Sequence, residues 1–585
     1  METHHNTIYS EIANAILQAI DMSYPGHGMH HQQIFDALGD APSFAQGHLA
    51  FACFPLAKTC KMAPAKIAAN LKEKIKLPRI CQSAVALGPY CNFFYNTAEV
   101  GTTIMQQILS GEFFQQKLTE NAPKTMIEYS QPNTHKELHV GHMRNLCLGN
   151  AIVRLHQYTG HETLAVTYPG DMGTHVAKCL WYLKNHQTTP APATEKGAWL
   201  GKLYSAANNL LADEKGTDKE EANRNALTAI LKQLENRSGE YYDLWTQTRE
   251  WSIELMQEAY DWAGVDFHHW YFESIVDASS LAYAKEMYAA GKFIKSLGAT
   301  GMDLSEDKLG FCLMIKSDGT GLYATKDVEL ARQKFADYAI EKNIYVVDNR
   351  QAHHFKQVFK VLEKLGFENS KNCHHLQYEM VELTNGPIAS RTGNLVPLMD
   401  LVQQMEATIK NEYLARYRNE WTEQEIQQTA RMVANGAIKY GMVRVDNNRK
   451  IIFDMQEWLK LEGETGPYLQ YVHARIHSMC EKLKYLPDAP VDWSLLNHKL
   501  EIQLIVTLTK FNTIAVTSCL QYKTHLLCGH LYQLAKMFNS FYAECPIGKA
   551  PTEPLKLARL ALAKATGLVM AQGLDLLGIP APHKM

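Results

Sequence analysis

Apolar and polar positions along roughly the first two-thirds of the chain switch between helical spacing and short strand-like runs, and the last third keeps helical spacing alone. Residues 8–20 and 62–76 place apolar side chains three and four apart and predict helices, while 90–95 is a short aromatic run that predicts a strand. Residues 125–129 and 163–168 are two further strand-like runs, and between them 145–158 keeps helical spacing up to Gly160. Strand, helix and strand within about forty-five residues form a βαβ unit, whose right-handed crossover puts a ligand at the carboxyl ends of its strands. Runs at 311–315, 344–347 and 376–383 are expected to supply the second half of that sheet, with a helix over 351–365 closed by Gly366. Beyond about residue 400 the pattern is helical, with long runs at 423–440, 462–483 and 495–520. The chain therefore divides into 1–120, which mixes helices with a strand, an α/β body over 121–395, and a helical region over 396–585. A polar stretch at 185–218 reads as an insertion in the body, and no internal repeat is present.

The chemistry concentrates in residues 130–144, SQPNTHKELHVGHMR, where the first strand turns into the helix. Gly141 lets a ligand come close to the backbone, and His139 and His142 stand three apart at the amino end of the helix, so both rings can face one point. Unpaired backbone N–H groups and the helix dipole favour negative charge there. Two imidazole donors aimed at a polyphosphate would stabilise the charge that builds up as phosphorus is attacked, without having to shuttle protons. A four-residue string of this kind is weak by itself. Pro132, Asn133 and Lys136 upstream, and Gly170 to His175 (GDMGTH) after the next strand, place polar groups at the same end of the sheet.

Composition adds limits rather than a function. With 46% hydrophobic and 20% charged residues the chain reads as globular, and no long apolar run predicts a membrane span. The amino-terminal stretch begins polar and continues as an amphipathic helix, unlike a secretory signal, so a cytoplasmic protein is expected. Twelve cysteines without a C-x-x-C pair argue against a zinc knuckle or a disulfide framework, and no protein metal site is expected. A net charge of −3 means that any nucleic-acid contact must come from local basic and aromatic patches.

Several separated elements in order resemble the arginyl branch of the class I aminoacyl-tRNA synthetases. HVGH at 139–142 resembles the class I HIGH element, and SQPN-x-x-K before it with PGDMGTH after it resemble the arginyl branch. The likeness runs nearly end to end, through GPYCNFF at 88–94, LYATKD at 322–327, VVDNRQAHH at 346–354, GPYLQYVHAR at 466–475 and a terminal LGIPAPHKM. It implies a Rossmann-type catalytic domain, an amino-terminal α+β domain that contacts tRNA, and a carboxyl-terminal α-helical anticodon-binding domain. It further implies ligation of L-arginine to tRNA(Arg) through an arginyl-adenylate, with ATP consumed and Mg2+ accompanying it, first transfer to a 2′-hydroxyl, activation that needs bound tRNA, and a monomer.

Residue by residue, the resemblance puts Lys136, His139, Gly141, His142 and His354 at ATP. It puts Glu128, Asn133, Tyr323, Asp327 and Gln351 around the substrate arginine, whose guanidinium suits planar carboxylate and amide acceptors. Read alone, Asp327 is better explained as a surface acid paired with Lys326 or Arg332, and His353 or His354 as a helix cap. The second class I phosphate loop, KMSKS, corresponds to 388–393 (IASRTG), which lacks the principal lysine. Ser390 and Arg391 remain as phosphate contacts there, and Lys136 is expected to take the lysine's place, with Arg144 beside it. Tyr468, Tyr471 and Arg475 project from one side of a helical run, which suits either stacking on unpaired bases or half-burial between helices. By resemblance these three, with Tyr542 and Met585, read the anticodon, and Asn92 and Phe94 touch the tRNA corner. Three rivals remain: another class I synthetase, a nucleotidyltransferase with the same histidine motif, and a non-catalytic tRNA-binding relative.

Overall fold

The computed structural model describes residues 6–384, 386–387, 397–487 and 489–585. Its centre is a five-stranded, all-parallel sheet of β1 (Thr125–Glu128), β2 (Thr163–Thr167), β3 (His269–Trp270), β4 (Lys342–Asp348) and β5 (Cys373–Tyr378), in the order β5-β4-β1-β2-β3. Glu128 pairs with Val166 on one side and with Tyr345 on the other, so the strand order reverses between β1 and β4. In such a sheet the crevice at the reversal is the place for a ligand.

The helix Val140–Tyr158 crosses from β1 to β2 and is buried almost throughout. Gly149 makes its close seat on the sheet possible, because a Cβ there would stand 2.2 Å from the Tyr129 ring. On its other side lie the carboxyl-terminal helices, and one apolar core runs from Ile12 through Ile127 and Leu148 to Val569. The amino-terminal part is a four-stranded antiparallel sheet, with Tyr90–Tyr95 between Leu49–Ala52 and Cys81–Leu87, and carries the helices Thr7–Ser23 and Pro64–Lys74.

Four sequence expectations change. The run at 311–315 forms Gly310–Ile315, which joins Ala299–Leu304 and Ile294–Ser296 in a separate antiparallel sheet. Short turns let these neighbours pair locally, and local pairing prevails over a distant parallel partner. The run at 376–383 splits at Glu379, whose backbone N–H goes to the Asn447 carbonyl, and Val381–Leu383 pairs in parallel with Ile451–Phe453. The run at 495–520 is two helices, Lys499–Leu508 and Phe511–Gln521, bent by 40°. The polar stretch at 185–218 is largely the helix Lys196–Asp213, which buries Leu200, Leu203 and Ala207 against its neighbours. Its Gly201 lies against the backbone of Glu137, so this helix buttresses the turn that precedes HVGH. Among the described residues no single helix is long and apolar enough to cross a membrane.

Candidate active site

A cavity of about 530 Å³ opens at the carboxyl ends of β1 and β4. HVGH enters it as a helix cap built from two histidines. The Gly141 N–H donates to His139 Nδ1 and the His139 N–H donates to His142 Nδ1, each at 3.1 Å. This is the reciprocal arrangement of a capping box, with imidazoles in place of hydroxyl and carboxylate. With both Nδ1 atoms accepting, the ring protons of the neutral side chains sit on Nε2. The rings lie 4.0 Å apart, and both line the cavity. Burial, then the nearby Lys136 and Arg350, lowers the His139 pKa to about 4, while burial, His139 and Lys136 hold His142 well below its ordinary value. Both side chains are therefore neutral Nε2–H donors near pH 7, suited to hold phosphate oxygens rather than to exchange protons with them.

Two carboxylates face this cavity, each already bound to an internal base. Glu128, at the end of β1, pairs with the fully buried Lys334, and Gln131 donates to its other oxygen at 3.1 Å. Asp327 lies 2.5 Å from His354 Nε2, whereas Lys326 pairs with Glu273 and Asp277, and Arg332 with Glu329. The surface-acid reading of Asp327 is thereby replaced. Burial disfavours the charged form of His354, but the Asp327 carboxylate outweighs it and raises the pKa. Tyr323 and Gln351 open onto the same space. Asn133 reaches it beside Gly170, where a Cβ would stand 2.4 Å from the Asn133 Oδ1. Tyr168 also lines the cavity, and its hydroxyl is buried with no hydrogen-bond partner among the described residues.

Other groups matter that sequence reasoning passed over. Asn145 accepts from the Ser130 N–H at 2.6 Å and donates to the Val346 carbonyl at 2.8 Å, so it ties the ends of β1 and β4 together. Arg350 forks onto Asp348 through two 2.9 Å contacts and brings a guanidinium to the cavity mouth. Its place in VDNRQ, at the end of a strand, was the available signal. Arg144 is not a phosphate contact: it is 1% exposed and donates to the Arg449 carbonyl at 2.9 Å. His135 is fully buried between Thr134 and Thr248, and Asp171 of GDMGTH accepts from Ser274 and Arg249, so both pin loops rather than line the cavity. The Lys136 ammonium rests 5.0 Å over the Tyr204 ring, close enough to act on both histidines. Ser390 and Arg391 lie outside the described residues.

In the helical region Tyr468, Tyr471 and Arg475 occupy the helix Gly466–Lys482, with the tyrosines half-buried and Arg475 exposed. The Arg475 guanidinium lies 4.5 Å over the Tyr542 ring, and the Tyr468 hydroxyl accepts from Asn539 at 2.9 Å. Met585 is held by its carbonyl to the Tyr417 hydroxyl at 3.3 Å. In the amino-terminal sheet Asn92 is 1% exposed and donates to the Gln46 carbonyl, and Phe94 sits half-buried, edge-on to His48.

Comparison with known proteins fits this layout. Residues 103–455 match the family described as tRNA synthetases class I (R), catalytic domain, 469–585 the DALR anticodon binding domain, and 7–95 the Arginyl tRNA synthetase N terminal domain. An Arginine--tRNA ligase of Bdellovibrio bacteriovorus is 54% identical over 99% of this chain and 100% of its own length. The chain belongs to the arginyl-tRNA synthetase family. A Treponema denticola Arginine--tRNA ligase is 32% identical over 92% of the chain and 93% of its own length. The solved arginyl-tRNA synthetase of Thermus thermophilus superposes with a TM-score of 0.82 at 27% identity, covering 98% of this chain and 99% of that one. The motif resemblance and the class I architecture are thus borne out.

Proposed function

We propose that the cavity at the ends of β1 and β4 is where this chain activates arginine. The chain charges tRNA with arginine and draws on ATP to do so. The arginine carboxylate attacks the α-phosphorus of ATP, the bond to the bridging oxygen breaks, and pyrophosphate leaves with arginyl-adenylate formed. The terminal ribose hydroxyl of tRNA(Arg) then attacks the acyl carbon, and AMP leaves. His139 and His142 offer two Nε2–H donors to the phosphate oxygens, Gly141 allows their close approach, and Lys136, Ser390 and Arg391 add polar or positive groups. Magnesium arrives as the counter-ion of the ATP phosphates, as part of the substrate.

Glu128 and Asp327 face the arginine cation, with Asn133, Tyr323 and Gln351 as polar neighbours, and His354, which lines the same cavity, serves ATP. Tyr468, Tyr471, Arg475, Tyr542 and Met585 meet the anticodon, and Phe94 meets the tRNA corner, whereas Asn92, buried on the Gln46 carbonyl, braces that sheet rather than touching tRNA. The chain acts as a monomer in the cytoplasm. One observation carries the reading: neutral histidine donors and two carboxylates converge on a single cavity at the strand-order reversal. The experiment is pyrophosphate exchange across the amino acids with tRNA present, followed by aminoacylation of total tRNA with labelled arginine. Arginine alone should support both, and exchange driven by another amino acid would overturn the assignment.

A further inference from the structure

We infer that His156, His161 and Cys519 form a binding site for a borderline-soft divalent metal, zinc foremost, where the catalytic body meets the helical region. Their ligand atoms all lie within 4.8 Å of one another, and no other cluster of three or more such side chains is found among the described residues. Exposure is 3% for His156, 7% for His161 and 0% for Cys519. His156 and His161 flank the turn that ends the helix Val140–Tyr158, whereas Cys519 comes from the helix Phe511–Gln521, about 360 residues further along the chain. Sequence spacing therefore could not reveal the group.

The surroundings orient these side chains as ligands. His156 Nδ1 lies 2.8 Å from the Ile152 carbonyl and so carries its ring proton there, leaving the Nε2 lone pair directed elsewhere. The Thr159 hydroxyl gives its proton to the Leu155 carbonyl at 2.8 Å, so its oxygen accepts from His161 Nδ1 at 3.1 Å, which leaves the His161 Nε2 unprotonated. Metal-binding histidines have this construction, with the second ring nitrogen tied to a carbonyl or hydroxyl. The same Thr159 oxygen lies 3.3 Å from Cys519 Sγ. Tyr522 stacks on the His156 ring at 5.9 Å and 8°, closing one side.

Two imidazoles and a thiolate are ligands for zinc rather than for magnesium, which prefers oxygen. Tetrahedral zinc keeps its nitrogen and sulfur ligands about 3.3–3.8 Å apart, so small side-chain rotations close the site. As the sulfur–metal bond forms, the Cys519 thiol releases its proton to solvent, and three protein donors leave one position for a small exogenous ligand. The thiolate also offsets the cation beside Lys342, whose ammonium lies 5.3 Å over the Tyr522 ring. Such an ion would clamp two regions that are distant in sequence and stabilise the folded chain by mass action.

The test uses the full chain, purified without a histidine tag and treated with chelator, then loaded with Zn2+ or Co2+ alone. Roughly one metal per chain should be retained, the cobalt form should show thiolate-to-cobalt absorption in the near ultraviolet, and zinc should raise the melting temperature. In Cys519→Ser the cobalt absorption and the zinc response should vanish while the circular dichroism of the helices is kept. If that variant does not fold, the wild-type cobalt spectrum decides. Absence of retained metal and of the cobalt absorption in the wild-type chain overturns the proposal, and so does an unchanged cobalt spectrum in a folded Cys519→Ser.

Discussion

His142 carries two duties on one ring: Nδ1 accepts the His139 N–H and closes the helix, while the ring lines the cavity. His142→Ala should lower adenylate formation about a hundredfold, as loss of one preorganised donor does, and leave tRNA affinity nearly unchanged. Pyrophosphate exchange and a tRNA binding isotherm, measured side by side, check it, and normal exchange would remove the ring from the mechanism. Lys334 gives a second prediction. It is fully buried against Glu128, so Lys334→Ala strands a carboxylate inside the protein and should cost about 3–5 kcal/mol by urea unfolding. A loss under about 1 kcal/mol would mean that Glu128 finds another partner or a proton. HVGH was legible because its residues are neighbours on one turn. Lys334 and Asn145 were not, since each works on a partner about 200 residues away and nothing in local spacing marks that meeting.

Between elements, the closest approaches are made by glycines. Gly466, which opens GPYLQYVHAR, sits against the helix Glu423–Val443 so tightly that a Cβ would lie 2.1 Å from the Gly436 carbonyl oxygen. A side chain at Gly436 would meet Gln470 at 2.3 Å. Gly466→Ala would push against the Gly436 carbonyl and the Tyr440 Cβ, neither of which can rotate away, so the helices must separate, and the cost should reach or exceed the upper end of the usual 1–3 kcal/mol for overpacking. A melting curve tests it, and an unchanged midpoint would show that the two helices slide freely. Helix positions were legible at this scale because each buries a periodic face; 423–440 became Glu423–Val443 and 462–483 became Gly466–Lys482, with Thr465 as its cap. Strand partners were less so. A short apolar run states that a strand exists but not which sheet takes it, and Gly310–Ile315 went to its sequence neighbours.

At the scale of the whole molecule, buried titratable groups make stability depend on pH from both sides. Burial is the main cause that lowers His48 and His530 to about 4, with Lys510 next in each case, and it lowers His135 to about 3, with His175 next, against 6.5 for an ordinary imidazole. Below about pH 6.5 the unfolded chain binds protons that the folded chain refuses, so stability falls as pH drops from there towards 4, and above that range these rings have no effect. The buried thiols act oppositely. Cys53, Cys81 and Cys91 are pushed by burial from 9 up to about 12, so above about pH 9 the unfolded chain ionises first and stability falls as pH rises. The urea midpoint, measured with reductant present, should therefore be highest between about pH 6.5 and 9 and decline on both sides. His473, lowered to about 4 chiefly by burial, adds to the acid limb. A midpoint at about pH 5 equal to that at about pH 7 would mean that these rings take up protons without leaving the core, and that the packing around them yields more readily than their burial implies.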